Sequence, residues 1–213
     1  DVDPETGLMT PATLQDAIAR APRPVKAVLP VHLGGQTCDL PALRRIAGAS
    51  GAVLIEDACH ALGTRYSDHG RQHGVGSCAH SLLTVFSLHP VKTIAAGEGG
   101  VGTTRDAALA DRVRRMASHG LVREPARMIN TDLARAADGS INPWYYELPE
   151  AGLNYRLTDF QAALARSQLG KLGRFSRARA RLAHRLPQLA LKRAFAVLLA
   201  LVALNMLRQA FSG

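Results

Sequence analysis

Three short apolar runs set the fold: "VKAVLPVHL" (Val25–Leu33), "GAVLIEDA" (Gly51–Ala58) and "SLLTVFSLH" (Ser81–His89). Each is too short for a buried helix, rich in β-branched or aliphatic residues, and bounded by turn residues, so each predicts a strand buried on both faces. Helical segments with recognisable caps alternate with them. Thr10-Pro11 supplies an N-cap and a first-turn proline ahead of Leu14 and Ile18. Asp39 can cap a helix with Leu43, Ile46 and Ala47 on one face. "GGVGTT" (Gly99–Thr104) reads as a short return strand, and Asp106 opens a helix carrying Leu109, Val113 and Met116. Residues 121–153 read as loop, and a helix capped at Thr158 or Asp159 runs through "FQAALARSQLGKL". This order predicts an α/β domain with a largely parallel sheet covered by helices on both faces.

The chain has 213 residues, 47% of them hydrophobic, which excludes a disordered composition and suffices for one ordinary core. Its cysteines, Cys38, Cys59 and Cys78, are odd in number and show no C-x-x-C spacing. They fit free thiols in a reducing compartment, and with no secretory signal before the first strand the expected location is cytoplasmic. "DVDPETG" reads as the middle of a domain, so a piece of a longer chain is expected. The net charge of +9 is uneven. Residues 1–104 hold 8 basic and 9 acidic side chains, residues 105–213 hold 18 and 8, and Lys171–Arg193 contains no acid. Without interleaved aromatics this basic run reads as a solvated helix face, and no nucleic acid is expected. The following "AFAVLLALVAL" (Ala194–Leu204) is 11 residues long, short of the ~20 a membrane span needs. It reads as a buried or interfacial helix, with membrane contact left open.

Ligands of parallel sheets gather at the carboxyl ends of strands. Asp57 and Ser87 fall there, and Lys92 follows inside "FSLHPVKTIAAGEGGVGTT" (Phe86–Thr104). A loop lysine is ordinarily solvated, but one partly buried beside a cation yields a neutral amine able to form a Schiff base. Asp57 needs a partner at the end of a buried strand: a helix cap, an ion pair, or a pyridine nitrogen that it keeps protonated. Ser87 offers a hydroxyl to a phosphate oxygen, and the glycines of "GEGG" let backbone approach a ligand. His60 and His89 are either pocket donors or satisfied core histidines. Two rivals are weaker. "GEGGVG" (Gly97–Gly102) matches G-x-G-x-x-G, but no helix opens directly behind it. Cys59, His60, Cys78 and His80 suit zinc by type, yet their pairs are too tightly spaced, so no metal is expected.

"VLIEDACHALGTRY", "TVFSLHPVKTIAAGEGGVGTT", "SHGLVRE", "PWYYE" and "GLNYRLTDFQAALARSQLGKL" occur in order across residues 1–172. Together they resemble the DegT/DnrJ/EryC1/StrS family of pyridoxal 5′-phosphate (PLP)-dependent sugar aminotransferases. The resemblance implies the central part of a type I aminotransferase large domain. It implies that Lys92 forms the Schiff base with PLP and shuttles the proton, and that Asp57 pairs with the pyridinium nitrogen. His60 would lie near the phenolic oxygen and Ser87 would bind the phosphate. Asn154 would reach the cofactor of a neighbouring subunit, which implies a homodimer. The substrates implied are a nucleotide-linked 4-keto sugar and an amino-acid amine donor, usually glutamate, in surface polysaccharide or nonulosonic acid synthesis. The family's N-terminal portion and C-terminal small domain are not matched, and the pattern fades after about Arg174. The expected division is therefore a partial PLP-binding domain, 1–172, and a basic then apolar helical tail outside the family pattern, 173–213. A truncated or rearranged product that binds PLP poorly alone follows from that expectation. An inactive fragment, a non-catalytic regulator and a membrane-associated protein are the alternatives, and the presence of Lys92 argues against the regulator.

Overall fold

A computed structural model of the chain describes residues 1–185 and Val197. It separates Asp1–Gly170 from a second unit that begins at Lys171. In the first unit α1 (Pro11–Arg20) starts at Thr10, whose hydroxyl accepts from the Thr13 N–H while Thr13 answers to the Thr10 N–H. The run Val25–Leu33 yields only β1 (Ala27–Val28) and an isolated bridge at Val31. Proline explains the shortfall, because Pro30 has no N–H to give a ladder. The backbone nevertheless tracks the next strand: Asp57 N–H donates to Pro30 O and His32 N–H to Asp57 O, both at 3.0 Å.

Asp39 caps α2 (Leu40–Ala49) by accepting from the Ala42 N–H. This helix buries Leu40, Ala42, Leu43 and Ala47, and Leu40, Leu43 and Ala47 pack with Leu14, Val28 and Leu54 in the main core. β2 (Val53–Asp57) lies parallel to β1 on one side and to β5 (Leu83–Ser87) on the other. The crossover between β2 and β5 is not helical. It is a hairpin, β3 (Arg65–Asp68) and β4 (Arg71–Gly74), turned at His69 and Gly70 with φ of 45° and 79°. Two positive φ values in a two-residue turn match the twist of the flanking strands. β6 (Gly100–Thr103) closes the sheet antiparallel to β5, giving the order β1-β2-β5-β6. The sheet is thus mixed, with three parallel strands and one antiparallel edge.

Helices flank both faces. Leu54, Thr84 and Phe86 are buried on the face that carries α2. On the other face, Leu83 and Gly102 share a cleft with Ala110, Val113 and Ala117 from α3 (Ala107–Met116) and its end. Asp106 caps α3 through the Leu109 N–H. Residues 121–153 form no helix beyond one 3₁₀ turn at Pro125–Arg127. They are tied down by a two-way backbone pair between Val122 and Glu147, and by Arg115 and Arg112 on Glu150 at 2.9 and 3.2 Å. α4 (Asp159–Leu169) carries the capping box of Thr158 and Gln161. In the second unit α5 (Leu172–Arg185) is an acid-free helix. The apolar stretch Ala194–Leu204 lies outside the described residues apart from Val197. Among the described residues no helix is long and apolar enough to cross a membrane.

Candidate functional site

β2 and β5 pair Asp57 with Val85 and Glu56 with Thr84. Side chains alternate along a strand, so Asp57, Val85 and Ser87 share one face while Glu56, Thr84 and Phe86 share the other. Asp57 therefore stands at the carboxyl end of β2 on the same face as Ser87 at the end of β5. Beyond Ser87 the chain turns through a Lys92 N–H to His89 O bond of 2.9 Å, leaving Lys92 half-buried. Burial opposes ionisation of Asp57, but hydrogen bonding from Cys59 and the electrostatic influence of His60 and Lys92 outweigh it. The carboxyl is held below the usual aspartate range. The Cys59 N–H bonds Asp57 Oδ1 at 3.0 Å. Burial and the Asp57 carboxylate push the Cys59 thiol up, and Lys92 partly opposes this. Asp57, Cys59, His60 and Lys92 thus share one electrostatic environment.

His60 is exposed, and its Nδ1 accepts the Gly34 N–H at 3.3 Å, which leaves Nε2 to carry the ring hydrogen outward. Gly35 follows at φ 88°, and a β-carbon there would come within 3.3 Å of the His60 carbonyl. A side chain is excluded where this turn meets the site. Ser87 Oγ accepts from the His89 N–H at 3.2 Å, so its own hydrogen remains available to a ligand oxygen. The glycine turn 97–99 is anchored from α4, where the Gln161 side-chain amide donates to Glu98 O at 2.9 Å. Asn154 does not join the group. It is exposed on an isolated bridge to Ser118, and no hydrogen bond or ion pair links it to Asp57, His60, Ser87 or Lys92.

Beneath Asp57, on the opposite face, lies a group that the motifs did not single out. His32 and Glu56 are wholly buried, with His32 Nε2 donating to Glu56 Oε2 at 3.0 Å. The Cys38 N–H donates to His32 Nδ1 at 3.2 Å, which fixes the tautomer. Glu56 Oε1 also accepts from Thr84 Oγ1 at 2.8 Å and from Ser81 Oγ. Burial works against the charge, but these hydrogen bonds prevail and hold Glu56 below the usual glutamate range. A carboxyl with a lowered folded pKa stabilises the protein above its unfolded value, near 4.3, and the contribution is lost as pH falls through the folded value. Glu56→Gln is therefore expected to flatten the loss of stability below pH ~4.5 and to cost about 1–3 kcal/mol at neutral pH. Urea unfolding at a series of pH values checks this, and an unchanged acid slope would contradict it.

The zinc rival does not assemble. Cys59 and His60 lie at the carboxyl end of β2, whereas Cys78 and His80 precede the amino end of β5. His80 sits between Tyr66 Oη, at 2.8 Å, and Asp68 Oδ2, at 3.1 Å. Burial and the nearby Glu56 push the Tyr66 hydroxyl up to about 12, so it serves as a neutral phenol. Cys78 donates to Thr103 O. The dinucleotide rival fails on context, since the turn at 97–99 enters β6 and the next helix begins only at Ala107.

The profile of the DegT/DnrJ/EryC1/StrS aminotransferase family matches residues 1–200. The chain belongs to this family. The match extends beyond the last motif legible in the sequence. The chain is 37% identical over 185 residues to the spore coat polysaccharide biosynthesis protein SpsC of Bacillus subtilis (strain 168), covering 87% of this chain and 43% of SpsC. It is similar to the structure of DesI in the presence of its TDP-sugar product, with 30% identity and a TM-score of 0.60 over 82% of this chain and 37% of that one. Helicobacter pylori PseC, an aminotransferase involved in the biosynthesis of pseudoaminic acid, shares the fold at 23% identity, with a TM-score of 0.63 over 81% of this chain and 39% of that one. The chain thus spans less than half the length of these relatives. It is a DegT-family chain carrying an anionic carboxylate, a lysine and a free hydroxyl at the ends of two neighbouring strands. The residue types in this donor set are chemically compatible with PLP.

Proposed function

We propose that this chain carries the amine-transfer chemistry of a PLP-dependent sugar aminotransferase, acting on a nucleotide-linked 4-keto sugar with glutamate as amine donor. The observation that carries the proposal is the placement of Asp57 and Ser87 on one face at the carboxyl ends of two paired strands, with Lys92 on the turn that follows and the Asp57 carboxylate held by the Cys59 N–H at 3.0 Å. PLP, when bound, supplies an electron sink for the substrate carbon. Asp57 holds a proton at the ring nitrogen, since a carboxylate kept ionised favours the protonated pyridine. Lys92 Nζ would hold the aldehyde carbon and would carry a proton to and from the substrate carbon. Ser87 Oγ would donate to the phosphate, and His60 would lie beside the phenolic oxygen. Asn154, exposed and apart from the other four residues, serves the cofactor of a second subunit, so the working form is a homodimer. Free thiols at Cys38, Cys59 and Cys78 suit a cytoplasmic setting. The product feeds surface polysaccharide or nonulosonic acid synthesis.

The half-reaction tests this reading without the sugar. With PLP and the purified chain, L-glutamate is expected to release 2-oxoglutarate in stoichiometric amount and to bleach the visible absorbance of the bound cofactor. Release of 2-oxoglutarate that is equally fast with free PLP would refute it.

A further inference from the structure

Two consecutive carboxylates end β2, and only one of them can face the cofactor pocket. Glu56 and Asp57 project to opposite faces of the strand, and a one-residue slip in pairing would exchange them. The ladder on the β1 side is a weak guard against such a slip. It is two residues long, and beyond it only one bridge, at Val31, follows past Pro30. We propose that the buried socket of His32, Ser81 and Thr84 decides which carboxylate enters the pocket, and that His32 is a positioning residue for Asp57.

The socket is matched to glutamate. Thr84 and Ser81 reach Oε1 while His32 Nε2 reaches Oε2, so both carboxylate oxygens are met. An aspartate is one methylene shorter and would leave a buried donor unpaired, which is the arrangement a slip would impose. His32 touches both acids. Its imidazole holds Glu56, and its backbone N–H donates to the Asp57 carbonyl at 3.0 Å. The ring is held in turn by the Cys38 N–H, at the far end of the turn whose Gly34 N–H bonds His60. One buried side chain therefore ties the register of β2 to the loop that lines the cofactor side. A buried polar pair that fixes register is the best-attested use of such a pair. The inference rests on the assignment of Asp57 to the ring nitrogen.

The test compares affinity for PLP with affinity for its analogue bearing carbon in place of the ring nitrogen. The wild-type chain is expected to prefer PLP. His32→Leu is expected to reduce that preference tenfold or more, whereas His32→Gln, able to accept from Cys38 and donate to Glu56, is expected to keep it within about threefold. Because His32→Leu leaves a buried charge unpaired and can fail to fold, the double variant His32→Leu/Glu56→Leu is measured beside it. In all four proteins without cofactor, the Asp57 carboxyl is titrated by carbon-13 NMR, with Cys59, His60 and Lys92 as the groups facing it. Its pKa is expected to rise to the ordinary aspartate range in the leucine variants and to stay low in His32→Gln. Folded leucine variants with an unchanged Asp57 titration would overturn the proposal, as would equal losses of affinity for both ligands. If the wild type does not discriminate between the ligands, the assignment of Asp57 to the ring nitrogen fails, and the carboxyl titration still decides whether the socket positions Asp57.

Discussion

Lys92→Ala is expected to abolish the stoichiometric reductive trapping of PLP. With the wild-type chain, borohydride in the presence of excess PLP is expected to leave one pyridoxyl group per chain, and peptide mass spectrometry is expected to place it on Lys92. The position explains why. Lys92 is half-buried after the β5 end and acts electrostatically on Asp57, the two residues that the proposed function assigns to one cofactor. A lysine without such a partner labels only in proportion to PLP concentration. Where glutamate turnover is measurable, loss of the Lys92 amine removes both the covalent link and the proton shuttle, a drop on the order of 10²–10⁴-fold for the proton transfer alone. Labelling scattered over several lysines, or equal in the alanine variant, would show that the pocket does not hold the cofactor.

Gly152→Val is expected to have the largest effect on stability. Two stretches of backbone cross at Gly120 and Gly152 with no room for a side chain between them. A β-carbon on Gly152 would lie 2.5 Å from Met116 O and 2.7 Å from the His119 carbonyl carbon, and would press on the Gly120 nitrogen. Gly120, at φ 81°, would likewise drive a β-carbon into the Glu150 carbonyl. Separating the stretches endangers four backbone bonds: Gly152 N–H to His119 O, Leu153 N–H to Met116 O, His119 N–H to Leu153 O and Tyr155 N–H to Ala117 O, at 3.0, 2.8, 2.9 and 2.9 Å. At about 1 kcal/mol net for each bond, the cost is about 3–5 kcal/mol, at the upper end for single substitutions. Hydrogen exchange is expected to accelerate around residues 117–123 and 147–155 while α2 and β2 stay protected. A change in urea-unfolding stability within ~0.5 kcal/mol, the range of neutral surface substitutions, would show that the crossing accommodates the side chain.

Much of this architecture was legible because its signals are local. The caps at Thr10, Asp39, Asp106 and Thr158 are single side chains bonding backbone three residues on, and all four helices begin where those residues stand. Asp57, Ser87 and Lys92 were legible as strand-end positions with unusual residue types. The hairpin β3–β4 was missed because its strands are polar and exposed, leaving no apolar alternation, although "SDHGRQ" carries the His-Gly turn. The His32–Glu56 socket was missed for another reason. A partnered buried acid and a partnered exposed acid look alike in sequence until the strand's parity is applied. In "VLIED" that parity places Glu56 with buried Leu54 and Asp57 on the other side, so a buried partner for Glu56 was deducible though not its identity.

The non-helical crossover has a bearing on how the pocket comes into being. Asp57, His60, Ser87 and Lys92 all lie between residues 57 and 92, at the ends of two adjacent strands or on the turns that follow them, and the strands are joined by a hairpin that pairs with itself. Only short loops must close to bring them together, and loop closure of this length is entropically cheap and fast. On a ribosome, this end of the sheet can therefore form while α3, the 121–153 segment and α4 are still being made, and the exposed aromatics Trp144 and Tyr146 are added only afterwards.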